Sequence, residues 1–227
     1  HHEHRRQRQM CIRDRGYILK YEIIATGSKG NAVLINDILV DCGIPFKRLK
    51  PYLYEVNTLL ITHEHSDHVK ATTLRAIKKH FPNIQVIANY MVKQLFPEYV
   101  DLTANGGVPL FTQSGIVTPF DCVHDVPCLG YSWIVNGKKV VYATDTSTME
   151  NCPVDIAIDY CFLEANYDEI KVQQIVQNTD MLKKYGYDIR KGTVRHFSKQ
   201  QCKSFFYKNR ADENSVLIQL HQSARFY

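Results

Sequence analysis

Residues 59–70 read LLITHEHSDHVK, with three histidines, a glutamate and an aspartate inside the six positions 63–68, directly behind an apolar run. Imidazole and carboxylate at this density can hold a divalent cation. Leu59-Leu60-Ile61 is too short for a helix and reads as a buried strand, so His63 falls where the strand ends, at a sheet's rim. If the chain stays extended through the motif, His63, His65 and Asp67 share one face and His68 takes the other. Two directions of approach point to two metal ions.

Four apolar runs end in the same kind of residue: ILV before Asp41, LLIT before His63, VVYAT before Asp145 and VLIQL before His221. A strand fixes the position of the residue after it more tightly than a loop does, so these ends can assemble one site. His80, His124 and His196 are the other histidines beyond the first fifteen residues. His80 closes a charged helical stretch and reads as a surface residue.

The elements that must position these groups can be read from pattern. YILKYEII, AVLIND and ILVDCG form an opening meander, with glycines and asparagines at the turns. Helices are expected over 45–53 and over 70–81, where Leu74, Ile77 and Phe81 recur at helical spacing. The run IQVIAN is a strand, and 97–114 is loop-rich. A second meander runs through GIVTPFDCVHDV, LGYSWIV and KKVVYATD, with an Asn136-Gly137 turn, and DIAIDYCFLEA adds a strand. Helices over 169–185 and 199–208 precede a last strand, SVLIQL. Two strand-rich halves, each followed by helices, predict two packed sheets with helices outside.

Composition narrows the function classes. The 227-residue chain has a formal net charge of +5, but residues 1–15 hold five arginines against Glu3 and Asp14, so residues 16–227 carry only +2. A strongly basic nucleic-acid footprint is therefore not evident. The first fifteen residues read as a disordered leader, non-native in character, and 16–227 as one domain. With no signal segment or long apolar span, and with Cys42, Cys122, Cys128, Cys152, Cys161 and Cys202 lacking paired spacing, the sequence reads as a cytoplasmic protein with reduced thiols and no membrane partner.

H-x-H-x-D-H at His63, His65, Asp67 and His68, preceded by VDCG and followed by HDVPCLGYSW, YATDT and a late histidine, resembles the metallo-β-lactamase superfamily over essentially the whole of 17–227. The resemblance implies an α/β fold, the αββα sandwich of two mixed sheets flanked by helices, with two metals at one sheet edge. It puts His63, His65 and His124 on the first metal and Asp67, His68 and His221 on the second. Asp145 bridges them, and Asp41 orients the histidine loop from behind. An all-nitrogen-and-oxygen set suits Zn2+ best and tolerates Mn2+. Glu64 takes no ligand role. His196 and His221 compete for the last ligand place; the resemblance assigns His221 to metal and His196 to protonation of the leaving oxygen. Asp67 joins His196 as a catalytic residue, and Asn166, Tyr167 and Ser198 are candidates for holding substrate.

The resemblance implies phosphodiester hydrolysis, chemistry that two dications can supply. GSKGNA, THEHSDH and LEANYDE are most similar to phage anti-Pycsar phosphodiesterases, which act on cyclic nucleotides, and to bacterial two-metal exonucleases. The low core charge favours a cyclic mononucleotide such as cyclic CMP or UMP, with one phosphate, over a polymer needing a cationic track. That would make the chain a phage-encoded homodimer that defeats cyclic-nucleotide immunity. A nuclease is the first alternative, with Lys183, Lys184, Arg190, Lys191 and Arg195 as a groove; a non-catalytic metal-binding or ligand-sequestering scaffold is the second.

Overall fold

The structure, a computed structural model, describes residues 18–185 and 189–223; the leader lies outside them. Among the described residues, twelve strands form two six-stranded sheets. The first holds β1 (Tyr21–Ala25), β2 (Ala32–Ile35), β3 (Ile38–Val40), β4 (Thr58–Leu60), β5 (Gln85–Ala88) and β6 (Leu102–Thr103), in that order. β1 to β3 form the expected antiparallel meander, and β3 to β6 run parallel. The second is built from β7 (Leu110–Thr112), β8 (Gly115–Cys122), β9 (Cys128–Val135), β10 (Lys138–Ala143), β11 (Tyr160–Glu164) and β12 (Val216–Leu220). Its order is β12-β11-β10-β9-β8-β7; β7 to β10 are antiparallel, and β10 to β12 parallel.

Alternate residues of each strand serve two cores. Val33, Ile38, Val40 and Leu60 of the first sheet meet Leu129, Tyr131, Val140, Tyr142 and Phe162 of the second between the sheets. Leu39, Leu59 and Val86 face the other way, against Leu74 and Ile77 of α2 (Ala71–His80). On the far side, Val141, Cys161 and Leu163 pack against Cys202 and Phe206 of α7 (Lys199–Asn209). Burial on both faces is why these strands read as unbroken apolar runs rather than alternating ones. The layers are those of the expected αββα sandwich.

Several boundaries differ from the sequence pattern for local reasons. The helix expected over 45–53 is a single turn, α1 (Phe46–Leu49), continued as 3-10 helix over Lys50–Glu55 with Pro51 in its first turn. The loop-rich 97–114 stretch contributes β6 and β7. α3 (Tyr90–Leu95) follows β5, capped by the Asn89 side chain. The helix expected over 169–185 is two, α4 (Glu169–Gln177) and α5 (Thr179–Tyr185), because the Asn178 side chain accepts from Asp180 N and Met181 N and starts a new helix. α6 (Ile189–Val194) has no counterpart in the pattern. All six cysteines of residues 16–227 are buried and unbridged.

Candidate metal centre

The histidine motif is not extended. After β4 the chain turns, and the amides of His68 and Val69 both donate to His65 O at 2.9 Å. The turn corrects the expected sharing of faces: it carries Asp67 away from His63 and His65 and onto the side of His68. Gly43 makes the turn's position possible, since a side chain there would overlap the Asp67 carbonyl. Asn31 N donates to that same carbonyl at 2.7 Å.

The turn sorts the donors into two groups. His63 Nε2 lies 3.1 Å from His65 Nδ1, and His124, two residues beyond β8, closes that group with ring centroids 5.1 and 5.2 Å from theirs. In the other, His68 Nε2 lies 3.5 Å from Asp67 Oδ2, and His221 Nε2 is 3.9 Å from the same oxygen. Asp145 stands between them. Its Oδ2 is 2.9 Å from His68 Nε2 and 3.6 Å from His221 Nε2, while Oδ1 is 4.0 Å from His124 Nε2. The potential ligand atoms of His63, His65 and His124, of Asp67, His68 and His221, and of His63, His68 and Asp145 each lie within 4.8 Å of one another. Glu64 joins none of these groups.

Strand ends supply the rigidity that the sequence implied, at a conformational cost. Asp41, Asp145 and His221 all adopt left-handed backbone, with φ of 63°, 53° and 54°. Such conformations cost side-chain-bearing residues of order 1 kcal/mol each and concentrate at functional sites. Behind the centre, the fully buried Asp41 carboxylate accepts from Thr62 N at 2.8 Å and Thr62 Oγ1 at 2.9 Å, and sits 2.7 Å from His68 Nδ1. With Nδ1 on Asp41, His68 has its Nε2 toward Asp67 and Asp145.

The family profile described as "Beta-lactamase superfamily domain" matches residues 36–169, more than half of the chain. The chain belongs to the metallo-β-lactamase superfamily. It is 28% identical over 172 residues to the exodeoxyribonuclease WalJ of Streptococcus pneumoniae, a match covering 66% of this chain and 63% of that protein. The chain thus spans less than two thirds of that relative's length. Among solved structures, human tRNase Z, short form, superposes with a TM-score of 0.64 at 18% identity, covering 90% of this chain and 93% of that one. YhfI from Bacillus subtilis gives 0.66 at 17%, covering 91% and 87%. Both share the fold. In a superfamily member, these His/Asp clusters are compatible with a two-metal site.

The profile match takes in Asp41, the motif, His124 and Asp145; His196 and His221 lie beyond it, and geometry alone brings them in. His221 follows β12, with its Nε2 toward Asp67 and Asp145. His196 stands before α7, its ring centroid 5.6 Å from that of His221 and 5.9 Å from that of His124. Between the two histidines is a residue the sequence reading missed. Glu164, fully buried at the end of β11, lies 2.6 Å from His196 Nδ1 and 3.1 Å from His221 Nδ1, and accepts from Thr146 N and Phe197 N at 3.1 Å. The signal was available: YCFLE is one more apolar run ending in a carboxylate.

The three expected substrate residues fare differently. Asn166 is buried and donates from Nδ2 to His221 O at 3.0 Å, which fixes a histidine. Tyr167 is half-buried, packed with Ile175 and Ile189. Ser198 is fully buried; its hydroxyl accepts from Gln201 N in a capping box at the start of α7 and donates to Glu169 Oε1. The Ser198 hydroxyl thus serves the helix cap and Glu169, with one lone pair still able to accept. Of the expected basic groove, Lys183 and Arg195 are exposed, while the side chains of Lys184, Arg190 and Lys191 lie outside the described residues.

The donors fit divalent cations electrostatically as well as chemically. Both ring nitrogens of His124 and Nε2 of His221 are buried without a hydrogen bond among the described residues. Burial, with positive neighbours such as His68, holds His63 well below the usual imidazole range, and burial lowers His124, so these two present neutral rings. Burial opposes charge on His68 and His221 too, but carboxylates outweigh it. Asp41 and Asp145 push His68 up to about 10, and Asp67 and Glu164 raise His221 well above its ordinary value. The thiol of Cys128, 3.6 Å from His63 Nδ1, is held protonated by its bond with Cys122 and by burial. It backs a ligand and does not replace one.

Proposed function

We propose that this centre hydrolyses phosphodiester bonds, with His63, His65 and His124 holding one cation, Asp67, His68 and His221 a second, and Asp145 shared. Zn2+ suits the donor set best and Mn2+ is tolerated. The observation that carries the reading is Asp145, whose two carboxylate oxygens face the two clusters separately. Bound there, the cations would neutralise phosphate charge and acidify a water for in-line attack.

The chain's own residues supply the rest. The Asp41 carboxylate orients His68, and Asn166 holds the His221 backbone, so the donors keep their geometry before substrate arrives. Asp67 sits beside His68 and His221, where it orients the attacking water. The departing alkoxide needs a proton. His196 is placed to give it: Glu164 takes its Nδ1, leaving Nε2 as the nitrogen that hands the proton on. Burial works against charge on His196, yet the bond to Glu164 raises its pKa overall, which keeps the acid form populated near neutrality.

Two substrate classes share this chemistry. The likeness to an exodeoxyribonuclease supports cleavage at DNA ends. The +2 charge of residues 16–227 supports a 3',5'-cyclic nucleotide, which presents one phosphate, and with it the phage immune-evasion role. The relative is the more direct support, so DNA-end cleavage is the first reading. Metal-loaded protein incubated with linear DNA and, separately, with cyclic CMP, cyclic UMP and cyclic AMP ranks them, with Asp67→Ala/His68→Ala as control. Loss of cyclic nucleotide with intact DNA reverses the order, and no turnover of either leaves the non-catalytic scaffold. A homodimer belongs to the same proposal, and light scattering that finds only monomer at micromolar concentration removes it. No helix among the described residues is long and apolar enough to cross a membrane.

A further inference from the structure

Arg195 immediately precedes His196, and its guanidinium reaches from the segment after α6 to the loop after β8. There Nη1 donates to Asp125 Oδ2 at 2.7 Å. The other oxygen of that carboxylate lies 3.1 Å from His124 Nε2 and 3.6 Å from His65 Nε2. A single carboxylate therefore separates the guanidinium from the first donor cluster. Arg195 and Asp125 side chains are 50% and 37% exposed, so the pair sits at the mouth of the centre, not in its floor.

An ion pair this exposed contributes little to stability, because water screens it. Its position has more consequence. The cluster behind Asp125 stands beside His196, with the His124 and His196 ring centroids 5.9 Å apart, so a phosphate held at the donors would bring non-bridging oxygens toward Arg195 on the exposed side. Guanidinium presents a planar fork of donors that matches two phosphate oxygens at once and stays charged at any working pH. A phosphate is also an acceptor like the one that holds the guanidinium already, so exchange needs only a rotation of an exposed side chain.

We propose that Arg195 is a phosphate-recognition residue of this centre, held on Asp125 at rest and exchanging that carboxylate for a non-bridging oxygen of the substrate. It makes the site selective for anionic over neutral esters. The assignment rests on the phosphodiesterase reading for its biological meaning, and the test separates the two.

Metal-loaded wild type, Arg195→Ala and Arg195→Lys are titrated calorimetrically with adenosine 5'-monophosphate. They are then assayed on bis(p-nitrophenyl) phosphate and on neutral p-nitrophenyl acetate. Loss of a charged, two-pronged contact predicts nucleotide affinity down and diester KM up by about tenfold or more in Arg195→Ala. Metal content and neutral-ester kinetics stay unchanged, and Arg195→Lys, which keeps the charge without the fork, falls between. Nucleotide affinity and diester KM within about twofold of wild type in Arg195→Ala overturn the assignment, as does an equal loss on the neutral ester. Should Arg195→Ala fail to fold, wild-type nucleotide affinity in Arg195→Lys overturns it equally. Wild type that binds the nucleotide through Arg195 but cleaves no phosphodiester sinks the functional reading and leaves this assignment standing. Diester cleavage with unchanged affinity in both variants does the reverse.

Discussion

The Glu164 carboxylate lies 2.6 Å from Nδ1 of His196, fully buried, at the end of the strand beside β10, which leads to Asp145. The pair ties His196, the proposed proton donor, to the rigid sheet, and the same carboxylate reaches His221. Burial by itself would raise the pKa of Glu164; the bonds from His196 and His221 outweigh it and hold Glu164 below the ordinary glutamate value. In return Glu164 raises His196. Glu164→Gln keeps the shape and removes the charge. An acid works only while protonated, so activity falls as pH rises through the His196 pKa. In the glutamine variant that fall moves to lower pH, and kcat drops by about ten- to a hundredfold. A kcat–pH profile with an unmoved alkaline limb rejects the pairing.

His196 and His221 look alike in sequence, and metal counting tells them apart. His221→Ala removes a donor facing Asp67 and Asp145, and the protein is expected to retain one equivalent of metal in place of two. His196→Ala leaves both cation sites whole, with full metal content and kcat reduced by about a hundred- to ten-thousandfold, the range of a lost general acid. Elemental analysis after gel filtration, paired with diester turnover, gives both numbers for each variant.

Much of this site was legible because strand ends announce themselves. Asp41, His63, Asp145 and His221 each follow an apolar run, and the structure brings all four together. What escaped the sequence were groups whose partners are distant or whose backbone departs from the strand. The turn at His65 overrides the alternation that an extended chain would impose, so Asp67 changed sides. Glu164 ends an apolar run as Asp41 and Asp145 do, but its partners His196 and His221 lie 32 and 57 residues away, so the run alone gave it no role. Arg195 was legible only as one cation of a possible groove; its link to the first cluster runs through Asp125, 70 residues earlier. Asn178 looks like mid-helix polarity, yet its side chain divides α4 from α5.

Ser198 tests whether a hydroxyl beside the centre serves the fold or the substrate. Its bond to Gln201 N and the reciprocal bond from Ser198 N to Gln201 Oε1 at 2.8 Å form a capping box. Ser198→Ala should cost about 0.5–2 kcal/mol of stability through the lost cap. Denaturant unfolding measures that, and diester KM in the folded variant stays at the wild-type value. A KM rise of about tenfold without loss of stability puts Ser198 in the substrate site instead.

Asp41 combines a buried charge with a left-handed backbone. Asp41→Ala strands the Thr62 amide and His68 Nδ1 and places alanine at φ 63°. Breaking a buried pair of this kind costs about 3–5 kcal/mol. Asparagine tolerates the backbone and still accepts from Thr62, so Asp41→Asn should lose less than half as much. Urea unfolding of the two variants checks the order. Equal losses in both would place the whole effect in the charge.

Cation uptake at the second cluster must displace protons, because carboxylates hold His68 up to about 10 and raise His221 well above its ordinary value. Below those values each ring carries a proton that competes with the metal; above them the site is ready and the competition ends. The apparent affinity should therefore weaken as pH falls, by about tenfold per pH unit for each proton displaced. At the first cluster burial keeps His63 and His124 neutral, so uptake there should depend on pH far less. Calorimetric titration of Zn2+ in two buffers of different ionisation enthalpy counts the protons released. Two steps are expected, one releasing close to none and one releasing at least one. Equal proton release in both would remove the division of labour between the clusters.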